Sequence, residues 1–349
     1  MVDPPGIALV PVRGMPEVIT GDDLAVLIMT ALTASGIALV EGDILVVTSK
    51  VVSKAAGLWA DPDRRAALVL EQSTAVVAER RTATSHTRVV TARSGPVLAG
   101  AGIDASNSDD DRLLLLPADP DAAAADLHRK LRRHLPDEAR IAVLLTDTAG
   151  RPWRAGLVDI ALGCSGLCGI DDLRGTSDTH GRDLAVTVRN LADEIAAAAD
   201  LVKGKLDRVP IAIVRGLPHL VLEHGPGTPA RDLVRSGPTD WFALGRAEAV
   251  RDALGIPAGS ELSESVGIES VAPEPLPDRV ARAVRVALHG HEGAGGDVGQ
   301  DGHRVDLSAR DSLTLGRVWA RLEIALAGER LTCAATHNEA GVTLQVRER

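Results

Sequence analysis

Three short apolar runs in this chain each end in a polar loop, and that pairing constrains the fold more than any other feature. Ile44-Leu45-Val46-Val47 opens into Thr48-Ser49-Lys50 and continues to Lys54. Val97–Ala99 leads to Gly102-Ile103-Asp104-Ala105-Ser106-Asn107. Ile141–Leu145 delivers Thr146-Asp147-Thr148-Ala149-Gly150-Arg151-Pro152-Trp153-Arg154. Short aliphatic runs bounded by turn-forming residues read as buried strands, whose ends present side chains from loops. The loops collect two carboxylates, Asp104 and Asp147, and the cations Lys50, Lys54, Arg151 and Arg154. Hard ions such as Mg²⁺ and Mn²⁺ take one or two carboxylates and complete their shell with phosphate oxygens and water. Lys neutralises phosphate as a point charge, and Arg does so as a planar fork. The set reads as a metal–nucleotide site, with the Thr148 hydroxyl available as a further oxygen ligand. Each Asp can equally make a turn or cap a helix, and each cation can be a solvated surface charge.

Composition narrows the partners. There is no Tyr, a single Phe242, and four tryptophans, Trp59, Trp153, Trp241 and Trp319. The cores must therefore be built from Ala, Val, Leu and Ile. Stacking platforms for single-stranded nucleic acid need aromatic rings, and a formal charge of −10 opposes binding to a phosphate backbone. No nucleic-acid partner is expected. The three cysteines, Cys164, Cys168 and Cys333, form no disulfide framework, which suits a reducing cytoplasm. No basic start followed by an apolar run marks a signal peptide. No apolar stretch approaches membrane-spanning length.

The remaining pattern alternates strands and helices. A strand is expected over 7–12. A helix capped by Asp22 or Asp23 should run to about Ser35, with Gly36 as its stop. Further helices are expected over 62–80, from Asp119-Pro120-Asp121 to His134, and from Asn190 to Lys203, where Leu191, Ile195, Ala198 and Val202 recur on one face. Strands are expected over Thr87–Thr91, Arg112–Leu116 and Ile211–Val214. Beyond about residue 250, Pro257, Pro273, Pro275 and Pro277 punctuate a linker-like stretch. Helices over 277–288 and 308–328 then alternate with strands, and His289–His303 reads as a mobile Gly- and His-rich loop. Asp159, Asp178, His180, Asp193 and Glu194 are secondary site candidates; Asp193 and Glu194 also suit the first turn of their helix. His289, His291 and His303 could bind a metal or simply occupy a polar loop. There is no G-x-x-x-x-G-K-[ST] sequence, so the phosphate site is not of the Walker type.

Taken in order, these motifs resemble the coenzyme F420-0:L-glutamate ligase (F420 gamma-glutamyl ligase) family over roughly residues 5–250. The resemblance rests on Met15-Pro16-Glu17-Val18, Gly42-Asp43, Thr48-Ser49-Lys50-Val51-Val52-Ser53-Lys54 and Ala101 to Asn107. It continues through Leu115-Leu116-Pro117, Thr146 to Arg154, Ala192-Asp193-Glu194-Ile195, Val202-Lys203-Gly204-Lys205 and Arg215-Gly216. It implies an α+β (mixed α/β) fold, two-lobed over 5–250; residues 251–349 lie outside the resemblance and read from their own pattern as a small α+β C-terminal domain of unassigned role. It further implies a cytoplasmic homodimer that is an acid–amino-acid ligase. In such an enzyme GTP activates the carboxylate of coenzyme F420-0 as an acyl phosphate, L-glutamate displaces the phosphate, and later glutamates join through their side-chain carboxylates. By the same resemblance Asp104, Asp147 and Thr148 hold Mg²⁺ or Mn²⁺, with K⁺ admitted as an accompanying ion. Met15, Pro16, Glu17, Val18, Ser49, Lys54 and Asn107 contact GTP, and Asp104, Asp147, Lys54 and Arg154 form the catalytic set.

The chain departs from the family pattern at two places. Leu157 stands in Arg154-Ala155-Gly156-Leu157-Val158-Asp159 where relatives commonly have Gln, and His180 stands in Asp178-Thr179-His180-Gly181 where they often have Tyr. Two-domain actinobacterial relatives carry a flavin-binding nitroreductase-like domain after the ligase. Residues 251–349 are too short for it, so no FMN is expected. An active ligase is the leading expectation. The alternatives are a catalytically altered nucleotide- or deazaflavin-binding protein, and an amide ligase for a related substrate.

Overall fold

The computed structural model describes residues 6–83, 85–105, 112–136, 139–204, 207–237, 240–338 and 341–349. Asn107, expected to contact nucleotide, lies outside the described residues.

Strand β1 (Ala8–Val12) leads to helix α1 (Leu24–Ala34), whose start is fixed by Asp23, with its carboxylate accepting from the Ala25 N–H at 3.0 Å. Strand β2 (Asp43–Thr48) runs without a loop into α2 (Ser49–Ala55), followed by β3 (Trp59–Ala60). The single helix expected over 62–80 is replaced by a 3₁₀ turn at Pro62–Arg64, helix α3 (Arg65–Glu71) and strand β4 (Ser73–Arg81). Thr74, Val76 and Val77 explain the switch, because branching at Cβ disfavours a helix and suits a pleated strand. Next come β5 (His86–Ala92), β6 (Val97–Ala99) and β7 (Leu113–Leu114), the last shorter than the strand expected over Arg112–Leu116. Helix α4 (Pro120–Arg132) is capped by Asp119, which accepts from the Ala122 N–H at 2.9 Å.

Strands β8 (Ile141–Arg151) and β9 (Arg154–Ser165) make one long hairpin. Asp147 therefore lies within a strand, not on the loop expected after Leu145. A small antiparallel pair, β10 (Ile170–Asp172) and β11 (Val188–Asn190), precedes α5 (Leu191–Lys203) and β12 (Ile211–Arg215). Helices α6 (Arg246–Ala253), α7 (Glu261–Val266) and α8 (Leu276–Leu288) follow. The stretch expected as a mobile loop between His289 and His303 contains strand β13 (Ala294–Val298). The chain ends with β14 (Arg304–Ala309), α9 (Ser312–Gly328), β15 (Leu331–Asn338) and β16 (Gly341–Glu348). Helices and strands are mixed throughout, as an α+β fold requires.

Two compact units emerge: Met1–Gln72 with Thr91–Arg235, and Ser73–Val90 with Ser236–Arg349. The segment after residue 250 is thus part of a larger unit that also takes in most of the β4–β5 region. In the first unit a five-stranded sheet has the order β1-β12-β2-β8-β9. Only β2 and β8 run parallel; the other neighbours are antiparallel. Side chains alternate across a strand, so the sheet has two buried faces. Leu45, Val47, Val143 and Leu145 pack with α1, α2 and α4. Ile44, Val46, Ala142 and Leu144 pack with α5.

One motif pair from the family resemblance has a structural use here. Asp43, with 0% of its surface exposed, receives both Arg215 Nε and Nη2 at 2.8 Å, tying β2 to β12. Gly216 follows at φ +104°, where a Cβ would lie 2.6 Å from the Gly6 carbonyl oxygen.

The second unit has its own core. An antiparallel sheet of order β13-β14-β16-β15 packs against α8 and α9 through Val305, Leu307, Val342, Leu344, Val284 and Leu322. Buried charge ties β4 into this unit. The Glu79 carboxylate accepts from Arg88 Nε at 3.0 Å, the Gly259 N–H at 2.9 Å and Ser263 Oγ at 2.7 Å. These bonds give the proline-punctuated stretch a fixed place beside β4.

Breaking the Asp43–Arg215 fork should act on stability. Arg215→Met leaves the buried Asp43 carboxylate with the Val40 N–H at 2.9 Å but without its charged partner, at a cost of about 2–3 kcal/mol. Thermal unfolding should then show a melting temperature lower by roughly 5–10 °C. An unchanged melting temperature would mean that the fork is solvated and makes no net contribution.

Candidate active site

Because α2 begins where β2 ends, Ser49, Lys50 and Lys54 are placed by backbone geometry at the end of a buried strand. Ser49 and Lys54 are buried. Lys54 Nζ pairs with the Glu17 carboxylate, and Lys50 Nζ lies 2.5 Å from Asp104 Oδ2. Asp104 is held by a two-way backbone bridge: its N–H donates to the Leu114 carbonyl at 3.0 Å, and its carbonyl accepts from the Leu114 N–H at 2.9 Å. The approach to Asp104 turns at Gly102, with φ +69°, where an added Cβ would meet Leu116 Cδ1 at 2.4 Å. The glycine in this motif is thus a conformational requirement.

Asp147 projects from β8 toward the α1–α2–α4 face, since it follows Ile141, Val143 and Leu145 in the alternation. Its carboxyl is pushed up to about 7, first by burial, with the Asp159 and Asp104 carboxylates adding repulsion. A hydrogen bond from the Thr148 backbone and the Lys50 ammonium pull the other way without cancelling the rise. Asp104, Asp147 and Lys50 therefore form one electrostatic cluster, whose net effect on Asp147, together with burial, favours its protonated form. Among the described residues no three His, Cys, Asp or Glu side chains converge to hold a metal alone. A pair of carboxylates needing phosphate and water to complete the shell is the donor set that Mg²⁺ and Mn²⁺ accept.

Thr148 belongs to the other face. Its hydroxyl donates to Asp159 Oδ1 at 2.9 Å, and the Thr146 hydroxyl donates to Asp159 Oδ2 at 2.7 Å. Lys203, the last residue of α5, donates to Asp159 Oδ2 at 2.5 Å and to Thr146 Oγ1 at 2.8 Å. The structure thus brings Asp104, Asp147 and Lys50 together and sets the Thr148 hydroxyl apart from them. Lys203 falls in the Val202-Lys203-Gly204-Lys205 motif, but the sequence assigns it no role. It lies four residues beyond Ala199 and eight beyond Ile195, both buried, so helical spacing marked it as an inward-facing cation.

The other candidates separate. Val18 is a core residue and Met15 packs against the same core, whereas Pro16 and Glu17 are exposed. Arg151 and Arg154 pair across the hairpin tip beside Trp153, and both are exposed. The tip lies four residues beyond Asp147, roughly 13 Å along the strand, so Arg154 is not beside Asp147. Asp178 makes a turn, accepting from the N–H groups of His180 and Arg182, each at 2.8 Å. Asp193 accepts from the Ala161 N–H at 2.8 Å and anchors α5 on β9; Glu194 faces Arg189 at 3.4 Å. His291 Nδ1 and His303 Nδ1 each lie 3.0 Å from a backbone carbonyl, of His289 and Val346 respectively. Cys164 is buried, which pushes its thiol up to about 12 and makes it a poor nucleophile.

The Asp147 shift has a signed consequence. Its carboxyl titrates near 3.8 when unfolded and about 7 when folded. Between these values the folded chain holds the extra proton, so metal-free stability falls as pH rises from about 4 to 7 and stays low above. Asp147→Asn should raise the melting temperature of the metal-free protein above that of the unaltered chain at about pH 8, with the gap closing toward pH 4. Equal melting at the higher pH would show that the carboxylate is already compensated.

Comparison with known proteins agrees with this architecture. The F420-0:Gamma-glutamyl ligase family model matches residues 14–216. The coenzyme F420:L-glutamate ligase of Methanothermobacter thermautotrophicus is 40% identical over 260 residues, covering 68% of this chain and 99% of the relative. The enzyme of that name from Methanopyrus kandleri is 38% identical over 255 residues, covering 68% and 98%. That from Archaeoglobus fulgidus is 39% identical over 231 residues, covering 60% and 88%. With the match spanning β2–α2, the Asp104 bridge, the Asp147 strand and the Asp43–Arg215 fork, the chain belongs to the F420-0:gamma-glutamyl ligase family.

Proposed function

We propose that this protein is a GTP-dependent ligase that joins L-glutamate to coenzyme F420-0 and then extends the tail through gamma linkages. The observation that carries the reading is the pairing of Asp104 and Asp147 beside Lys50 on one face of the sheet, within a region matched across almost the whole length of ligase relatives.

A carboxylate is a poor acyl donor, so an oxygen of the F420-0 carboxylate attacks the γ-phosphorus of GTP and GDP leaves. The glutamate amine then attacks the acyl carbon, the bond to the phosphate-bearing oxygen breaks, phosphate departs, and the nitrogen gives up a proton to water. Asp104 and Asp147 would hold Mg²⁺ or Mn²⁺, whose charge offsets that of the phosphates. Lys50 and Lys54 supply cations at the same strand end. Glu17, exposed and paired with Lys54, is the anion that a phosphate would replace there. Leu157, 62% exposed on β9, puts an apolar side chain where relatives commonly carry an amide able to bond substrate or phosphate.

Incubation of the protein with F420-0, L-glutamate, GTP and Mn²⁺ or Mg²⁺, read by mass spectrometry, tests the proposal. Products heavier by one or more glutamyl units should appear, depend on GTP, and be lost in Asp147→Asn by a factor of at least about 100. GTP binding without any glutamylated product would point instead to a changed substrate or a binding role.

A further inference from the structure

We propose that Asp159 and Lys203 are positioning residues for Asp147. The inference rests on the reading of Asp104 and Asp147 as the metal-holding pair. Neither Asp159 nor Lys203 has a part in the chemistry above, yet both are only 4% exposed. Burying an ion pair costs desolvation that an apolar pair would avoid, so its retention beside a site calls for a role.

The geometry supplies one. Thr146 and Thr148 flank Asp147 in sequence and face the opposite side of the sheet. A single carboxylate grips both: Asp159 Oδ2 takes the Thr146 hydroxyl at 2.7 Å, and Oδ1 takes that of Thr148 at 2.9 Å. Fixing the residues on either side from behind fixes the direction in which Asp147 leaves the strand. The grip falls where the partner strand is irregular: Leu145 pairs with Gly163 and Thr146 with Ala161, so Leu162 is an extra residue on β9 just before the Asp159 pairing. A bulge disrupts the ladder locally, so the side-chain bonds from Asp159 tie β9 back to β8 on either side of Asp147. Asp159 stands directly across from Thr148 in that register. Lys203 completes the clamp by bonding both Asp159 and Thr146, and Gly204 at φ +61° ends the helix immediately after it. The clamp thus couples the end of α5 to the strand bearing Asp147, through bonds that are all on the far face from Asp104.

The test uses the full chain and Mn²⁺, measured through the spin-resonance signal of the free ion, together with kcat and KM for Mn·GTP. Thr146 is fully buried and is not a proposed metal ligand, so Thr146→Val removes one prong without changing size or touching the metal shell. It should weaken Mn²⁺ binding by about tenfold, as loss of groups that orient a ligand does. KM for Mn·GTP should rise, with the far-ultraviolet spectrum unchanged. Thr146→Ser, which keeps the hydroxyl, should restore binding to within about twofold. Lys203→Met alone would strand a buried charge, so the second variant is the double replacement Asp159→Asn with Lys203→Met, which keeps the volume and removes both charges. It should weaken Mn²⁺ binding by about tenfold or more. Unaltered binding in Thr146→Val and in the double variant would overturn the positioning role while leaving the metal reading intact. Equal losses in Thr146→Val and Thr146→Ser would overturn it too, since packing and not the hydroxyl would be responsible. A failure of the unaltered chain to bind Mn²⁺ would remove the metal reading, and the proposal with it.

Discussion

Asp104 and Asp147 are held close enough to repel each other, with one ammonium, Lys50, in contact with Asp104 and acting on both. Most of the first unit can be understood as the scaffold that maintains this arrangement. The parallel β2–β8 pair sets the end of one strand, where α2 starts, beside the strand that bears Asp147. The Leu114 bridge and the Gly102 turn hold Asp104 against that strand. Folding alone would not favour such repulsion. A site whose ligand carries positive charge, with phosphates to share it, gives the repulsion a use.

The sheet also divides labour between its faces. The α1–α2–α4 face carries the Asp104–Asp147–Lys50 cluster. The α5 face carries the fully bonded Thr146–Thr148–Asp159–Lys203 network. A satisfied polar network rigidifies what it touches. The second unit shows the same use of buried, bonded charge at Glu79 and at Arg282, whose guanidinium donates to Glu274 and Glu329 together.

Much of the first unit was legible in the sequence because its signals are local. Asp23, Asp119 and Asn190 cap the helices they were expected to cap, and the apolar runs at Ile44 and Ile141 form strands. What was misread depended on partners distant in sequence. The segment 73–81 reads as helical by itself, but its Glu79 bonds Gly259 and Ser263, far along the chain. The hairpin tip at Trp153 carried β8 past Asp147, turning an expected loop into a strand and sending Thr148 to the opposite face. Part of the family signature, Asp43 with Arg215 and Gly216, proved to hold strands together. Lys203 was hidden because a lysine on a helix is ordinarily solvated, and only its register with Ile195 and Ala199 showed otherwise.

Calorimetric titration of the metal-free protein with Mn²⁺, in buffers of differing ionisation heat, tests the central claim most directly. If Asp147 is a ligand whose carboxyl titrates at about 7, binding near that pH should release about half a proton per ion, since a ligating carboxylate must shed its proton. Release should fall toward zero well above that pH, where the proton is already gone, and vanish in Asp147→Asn. Mn²⁺ binding with no proton release near pH 7, equally strong in Asp147→Asn, would place the ion elsewhere and contradict the account.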